Sequence, residues 1–424
     1  MHVAIIGNGV TGVSAALRIR KRRPDWKVTL VSGESRFHWS RPALMYVFMG
    51  HMGYQQTKPF PDSFWADREI DLVRGWVTGV DVMQKRLDLH TGQTLGWDRL
   101  LIASGSKSNM FGWPGQDLEG VQGLYGLPDL VALYENAAKA REAVIVGGGL
   151  IGIELAEMLH SRNIHVRFLV RESSYWNNVL NDEESAIINR LIRDQGLDLE
   201  LETELESIED DGSGRCGAVI TRDGRRFECQ LVGLTAGVSP NTGFLADSTL
   251  ECGRGVLVDP TLKASASNVW AAGDCAEIVT RGEGRNLIQQ VWYTGKMQGE
   301  VAADNIAGEA EVAYDPGIWF NSAKFFELEY HTYGLVNRRV PDEENLFWEH
   351  PRHRHSARIV TSAGVVIGLQ TMGARWRHEV AERWIREQRS VEEVIDDLPE
   401  LAFDPELHRR YEGQMAAGFR EQLS

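Results

Sequence analysis

Two short stretches of the chain carry glycines at a spacing that does chemistry: Gly7-Asn-Gly-Val-Thr-Gly12 and Gly147-Gly-Gly-Leu-Ile-Gly152. Each is a G-x-G-x-x-G pattern suited to holding the pyrophosphate of a dinucleotide. The first glycine (Gly7, Gly147) permits a tight turn, and the second (Gly9, Gly149) lets the backbone approach the phosphates. The third (Gly12, Gly152) lets helix and strand pack closely. One such pattern alone is weak evidence, but each follows an apolar run suited to a buried strand (His2 to Ile6; Ala143 to Val146) and precedes an amphipathic helix. The helix N-terminus then directs its N–H groups and dipole at the phosphates. Val10 and Thr11, like Leu150 and Ile151, complete the two loops.

The residues that choose among dinucleotides stand at the end of the next strand. After Lys27 to Val31 comes Ser32-Gly33-Glu34, whose acid suits a ribose hydroxyl; the alternative is a solvated turn glutamate. After His165 to Val170 the order is Val170-Arg171-Glu172. Arg171 suits the 2′-phosphate of NADPH, and Glu172 keeps NADH open.

Composition narrows the partners. A net charge of -15 supplies no basic excess for nucleic acid. Four cysteines (Cys216, Cys229, Cys252, Cys275) show no CxxC and no zinc spacing, a reduced pattern with no metal site expected. The chain starts directly on a strand and has no apolar run of membrane-spanning length, so a cytoplasmic location and no membrane span are expected.

Further motifs carry a family likeness. LLIASGS (Leu100 to Ser106), GLTAGVSPN (Gly233 to Asn241), NVWAAGDCAE (Asn268 to Glu277) and VWYTGKMQGEVAADNIAG (Val291 to Gly308) accompany the glycine loops in order. From residue 1 to about 310 the chain resembles the pyridine nucleotide–disulfide oxidoreductase superfamily. Within it, the chain is most similar to reductases of the rubredoxin/ferredoxin and nitrite-reductase kind. The resemblance implies FAD at the first loop, contacted by Arg41, Pro42, Val77, Ala103, Ser104, Gly105, Gly237, Gly273 and Asp274, with Asp274 on the ribityl and pyrophosphate part. It implies NADPH or NADH at the second loop. Trp292 and Tyr293 become candidates for ring contact, with core packing as the alternative for each.

Two departures stand out against that family. Disulfide-reducing relatives carry a cysteine in the region of His38 to Gly50, and this chain has none there. Tyr46 stands where many relatives place a lysine paired with a glutamate, while the glutamate is present as Glu154. That leaves Glu154 three roles: pairing with Lys58, pairing with Lys296, or orienting the nicotinamide amide directly.

These elements imply an α/β fold: two Rossmann-like dinucleotide-binding domains, glutathione-reductase-like, plus an α+β C-terminal domain. The FAD domain would be split (1–111 and 238–312), the NAD(P) domain inserted (112–237), and residues 313–424 would form an interface domain of a homodimer. Residues 70–98 suggest a small antiparallel layer, Ser362-Ala363-Gly364 a hairpin, and Ser390 with Glu393 a capping box. His350, His353 and His355 crowd one turn, where a solvated loop is the alternative to a metal site; Arg375 and Arg377 flank Trp376 as a candidate guide for an anionic substrate. The expected function is an FAD-dependent NAD(P)H oxidoreductase that passes electrons to an external acceptor, a small redox protein such as rubredoxin or ferredoxin, or a small oxidant. The rivals are an FAD enzyme with another donor and a flavin-bound, non-catalytic partner protein.

Overall fold

An apolar run without alternation is stable only as a strand covered on both faces, and His2–Ile6 takes that central position. The computed structural model describes residues 1–280, 286–308, 311–337, 342–352, 354–403 and 410–423. Its first sheet is parallel throughout, in the order Val269–Ala271, Arg99–Ile102, His2–Ile6, Lys27–Ser32, Ile70–Arg74. The strand that precedes Gly273 therefore lies in the same sheet as the strand that precedes Gly7. The segment 70–98 is not one layer: Ile70–Arg74 joins the parallel sheet as its edge. Only Val77–Asp81, Arg86–Leu89 and Thr94–Gly96 form the antiparallel ribbon. The apolar Leu72 and Val73 pack on the main core, which draws that strand in.

Helix Val10–Arg22 follows the first loop and packs along helix Trp292–Ala307. Contact is close because Gly299 has no side chain; a Cβ there would lie 2.4 Å from the Thr11 carbonyl oxygen. Arg18 and Arg22 both bind Asp304, at 2.7 and 2.6 Å.

A second set of parallel strands runs Val121–Gln122, Leu231–Leu234, Glu142–Val146, His165–Leu169. Helices Leu127–Ala137 and Leu150–His160 accompany it. A three-stranded antiparallel sheet, Leu205–Asp210, Cys216–Thr221 and Arg226–Glu228, shares its core.

The chain divides into two compact units, residues 1–169 with 204–315 and residues 170–203 with 316–424. The second unit is a five-stranded antiparallel sheet in the order Phe320–Phe325, Leu328–Gly334, Val365–Met372, Ser356–Ser362, Glu343–Glu349. Ala363 (φ 50°) and Gly364 (φ 75°) form the two-residue turn that matches strand twist. Helices His378–Arg386, Val391–Asp396 and Glu412–Leu423 follow, and Ser390 and Glu393 form the expected capping box. Helix Asp182–Asp194, from mid-chain, belongs to this unit. It is pinned there by Glu184 and Arg358, both about 1% exposed and 2.9 Å apart.

Candidate active site

The first loop is held from behind and open in front. Gly7 adopts φ +106°, and a Cβ there would sit 2.1 Å from the Ala103 carbonyl oxygen. Gly9, which opens helix Val10–Arg22, has nothing within 4 Å of a Cβ position. The second loop repeats this arrangement. A Cβ on Gly147 (φ +124°) would lie 2.7 Å from the Thr235 carbonyl oxygen, and one on Gly149, which opens helix Leu150–His160, would meet nothing within 4 Å. Leu150 and Ile151 are half-buried in the first helical turn, and Gly152 is buried. A backbone that is crowded on one side and bare on the other is what close approach of a pyrophosphate requires.

Tertiary structure brings the other motifs to the first loop. Gly273 (φ +77°) abuts Thr11, whose Oγ1 would lie 2.4 Å from a Cβ. Ser104 Oγ donates to the Asn241 carbonyl at 2.7 Å, and the Asn241 amide donates to the Gly105 carbonyl at 2.9 Å. Gly237 (φ +86°) then turns the chain into a strand, Val238–Pro240, that pairs with Ser106–Ser108. Asp274 is enclosed next to these residues. Its Oδ2 accepts from Ser106 Oγ at 3.0 Å and Tyr125 hydroxyl at 3.2 Å, and Gln290 donates to Ser106 Oγ at 2.8 Å. Burial raises the Asp274 pKa, against the two hydrogen bonds and the charge of Arg41.

Glu34 and Arg41 form a bidentate pair at 3.0 and 2.7 Å. Glu34 Oε1 also accepts from the Leu127 amide at 2.9 Å, and Arg41 donates to the Tyr125 carbonyl at 2.7 Å. The guanidinium stacks on the Tyr125 ring, 4.5 Å from its centroid. Pro42 lies in the first turn of a short helix, as its fixed φ favours. Val77 begins the antiparallel ribbon and is half-buried against the first core. Trp292 is 42% exposed at the head of helix Trp292–Ala307, with half-buried Tyr293 edge-on to it at 5.5 Å.

Tyr46 is half-buried on helix Leu44–Phe48, its ring 6.0 Å from His51. Tyr134 donates to the Val47 carbonyl at 2.8 Å, and Arg162 donates to the Phe48 carbonyl at 2.5 Å. Neither lysine proposed for Glu154 reaches it. Lys58 pairs with Asp62 at 2.5 Å and Lys296 with Glu300 at 3.9 Å, each a partner four residues further along the chain. By surface area Glu154 is only half-buried, yet its carboxyl is enclosed enough that burial, with the charge of Glu157 adding, raises its pKa to about 7. Arg171 is exposed and holds Glu172 at 2.8 Å; Val170 is fully buried.

Some candidates are brought to no site. Cys275 is fully buried, its Sγ 3.4 Å from the Ile102 and Ala272 carbonyls, and burial raises its pKa. His350 and His355 pack against Tyr411 at 4.9 and 4.8 Å, and His353 lies outside the described residues. Among the described residues no three metal-ligating side chains cluster. Arg375 pairs with Glu329, and Arg377 caps a helix. Conversely, Tyr125 and Gln290 lie outside the motifs that the sequence offers, while Ser106 closes the LLIASGS stretch; Ser106 and Tyr125 meet on Asp274, and Gln290 is held on Ser106.

The family described as pyridine nucleotide-disulphide oxidoreductase matches residues 1–299. The chain belongs to that family. It is an FAD-dependent NAD(P)H oxidoreductase, and the bare backbone at Gly9 beside the enclosed Asp274 fits the cofactor. Over 304 residues it is 31% identical to the biphenyl dioxygenase system ferredoxin--NAD(+) reductase component of Paraburkholderia xenovorans (strain LB400), covering 71% of this chain and 73% of that one. It is also similar to the benzene 1,2-dioxygenase system ferredoxin--NAD(+) reductase subunit of Pseudomonas putida, at 28% over 319 residues (75% and 77% covered). The NAD-dependent persulfide reductase from A. fulgidus shares the fold, with TM-score 0.87 at 22% identity over 100% of this chain and 84% of that one. Among the described residues, no helix is long and apolar enough to cross a membrane.

Proposed function

We propose that this reductase takes electrons from NADH at the second glycine loop and delivers them, through FAD held at the first, to a small iron–sulfur protein of the ferredoxin kind. The observation that carries this reading is the position of the cysteines. None precedes Cys216, so no thiol stands in the segment His38 to Gly50 to relay electrons internally, and the acceptor must come from outside. The two relatives named as ferredoxin reductases support an iron–sulfur acceptor.

When bound, FAD accepts the hydride equivalent from the nicotinamide and passes on its electrons. The chain supplies position and electrostatics. Gly9 and Gly149 open helix N-termini to the two pyrophosphates. The N-terminus of helix Trp292–Ala307 would stabilise negative charge on a reduced flavin. Glu154, with a pKa of about 7, can donate or accept a hydrogen bond at its carboxyl and so orient the nicotinamide carboxamide. The two relatives named as ferredoxin--NAD(+) reductases support NADH over NADPH as the donor. Residues 1–111 with 238–312 would form the flavin module and residues 112–237 the nicotinamide module, in two Rossmann-like folds. Residues 313–424 would form the interface of a cytoplasmic homodimer.

Anaerobic stopped-flow absorbance of the yellow holoprotein tests the donor. NADH should bleach the flavin at least tenfold faster than NADPH, and a [2Fe–2S] ferredoxin should then restore the colour. If neither nucleotide bleaches a flavin that dithionite reduces, the reading is wrong.

A further inference from the structure

A large aromatic side chain stands just past the carboxyl end of the first sheet's edge strand. Trp76 is 48% exposed, although an indole offers one of the largest apolar surfaces of any side chain. It follows the edge strand Ile70–Arg74, where the Gly75 amide donates to the Ser32 carbonyl at 3.0 Å, so Trp76 comes level with Gly33. A Cβ on Gly33 would lie 2.1 Å from Cδ2, 2.4 Å from Cγ and 2.6 Å from Cε2 of the indole. The ring thus covers Gly33 in the direction a side chain there would take.

Its backbone is held on both sides. The Trp76 amide donates to His90 Nδ1 at 3.0 Å, and the His90 amide donates to the Trp76 carbonyl at 2.9 Å. Among the described residues, no other ring and no cation stacks on the indole.

The location gives this meaning. In sheets of this type the ligand lies beyond the carboxyl ends of the strands, and an acid at the end of the second strand engages the adenosine ribose. Here the residue directly after that strand is Gly33. The adjacent acid, Glu34, has both oxygens on Arg41 and one also on the Leu127 amide. What the strand end offers is a half-exposed aromatic face and a carboxylate already engaged.

We infer that the adenosine end of the dinucleotide at the first loop is recognised by stacking of adenine on Trp76, in place of a carboxylate on the ribose. The inference rests on FAD occupying the first loop. It predicts that affinity depends on the adenine ring and little on the ribose 2′-hydroxyl.

Flavin fluorescence titrations of apoprotein with FAD and with FMN, which lacks the adenosine half, separate the cases. Trp76→Ala should weaken FAD binding on the order of ten- to a hundred-fold, the range for removing one base–aromatic stack. FMN binding should not change. Trp76→Phe should retain FAD, and Trp76→Leu, which keeps apolar bulk without the π-face, should lose it; this pair decides the matter if the alanine variant does not fold. An FAD analogue with 2′-deoxyadenosine should bind wild type within about threefold of FAD. Unchanged FAD affinity in both the alanine and leucine variants, or equal losses for FAD and FMN, would overturn the inference. Failure of wild-type apoprotein to bind FAD at all would instead sink the placement of the cofactor.

Discussion

A carboxyl enclosed by protein with a like charge nearby holds its proton more tightly, and Glu154, with no ion-pair partner among the described residues, is in that position. Its pKa in the folded chain, about 7, lies above the ordinary 4.5. The folded state therefore keeps a proton that the unfolded chain releases between those values. Stability is complete below about pH 4.5, falls as pH rises to about 7, and is level above. Glu154→Gln abolishes this loss, so the variant should gain on wild type by on the order of 1–3 kcal/mol between pH 5 and pH 8, read from urea midpoints. The rate of flavin reduction by NADH should also lose its inflection near pH 7 in that variant. An unchanged pH profile would mean that another group governs the step. The glutamate itself was legible from its place after a glycine loop. Its isolation was not, because Lys58 and Lys296 have i,i+4 partners that compete for them.

Among the elements, the decisive contact is between the helix that opens at the first loop and the helix that ends the flavin-like segment. Gly299 lets Thr11 of the facing helix approach, and Gly273 and Gly295 meet the same threonine. A methyl group at position 299 would sit 2.4 Å from a backbone oxygen, which cannot swing aside as a side chain could. Gly299→Ala should therefore cost about 1–3 kcal/mol in urea unfolding and loosen the retained flavin, which dialysis would show. A variant with wild-type stability would mean that the helices separate without penalty. The G-x-G-x-x-G loops were visible as local patterns, since each is a strand, a turn and a helix in sequence. The glycines of the late helix were not, because their spacing has meaning only against Thr11. The strand Ile70–Arg74 departs from the expected antiparallel layer for a similar reason: its apolar residues meet a parallel neighbour more than forty positions away.

At the scale of the whole molecule, a mid-chain segment is built into the C-terminal unit, and a buried ion pair helps hold it there. Arg358 donates to both oxygens of Glu184 at 2.9 Å, and also to the Val336 carbonyl, Asn345 and Gln370. Burial raises the Glu184 pKa against the pull of Arg358. Removing one partner strands the other charge in the interior. Arg358→Met should cost about 3–5 kcal/mol, while Arg358→Met with Glu184→Leu should recover much of that loss. Chemical denaturation of the two variants checks this, and equal losses in both would refute it.

The sequence by itself determined the two glycine loops, the family, FAD and NAD(P)H chemistry, and the lack of a cysteine between His38 and Gly50. Each of these is written in a few neighbouring residues whose geometry follows from the backbone. Tertiary structure alone decided which groups meet. Tyr125 and Ser106 reach Asp274 from distant positions with Gln290 held on Ser106, Glu34 is tied to Arg41 and helix Leu127–Ala137, and Trp76 covers Gly33. Such contacts join residues far apart in the chain, and nothing in a local pattern encodes a partner brought in by folding.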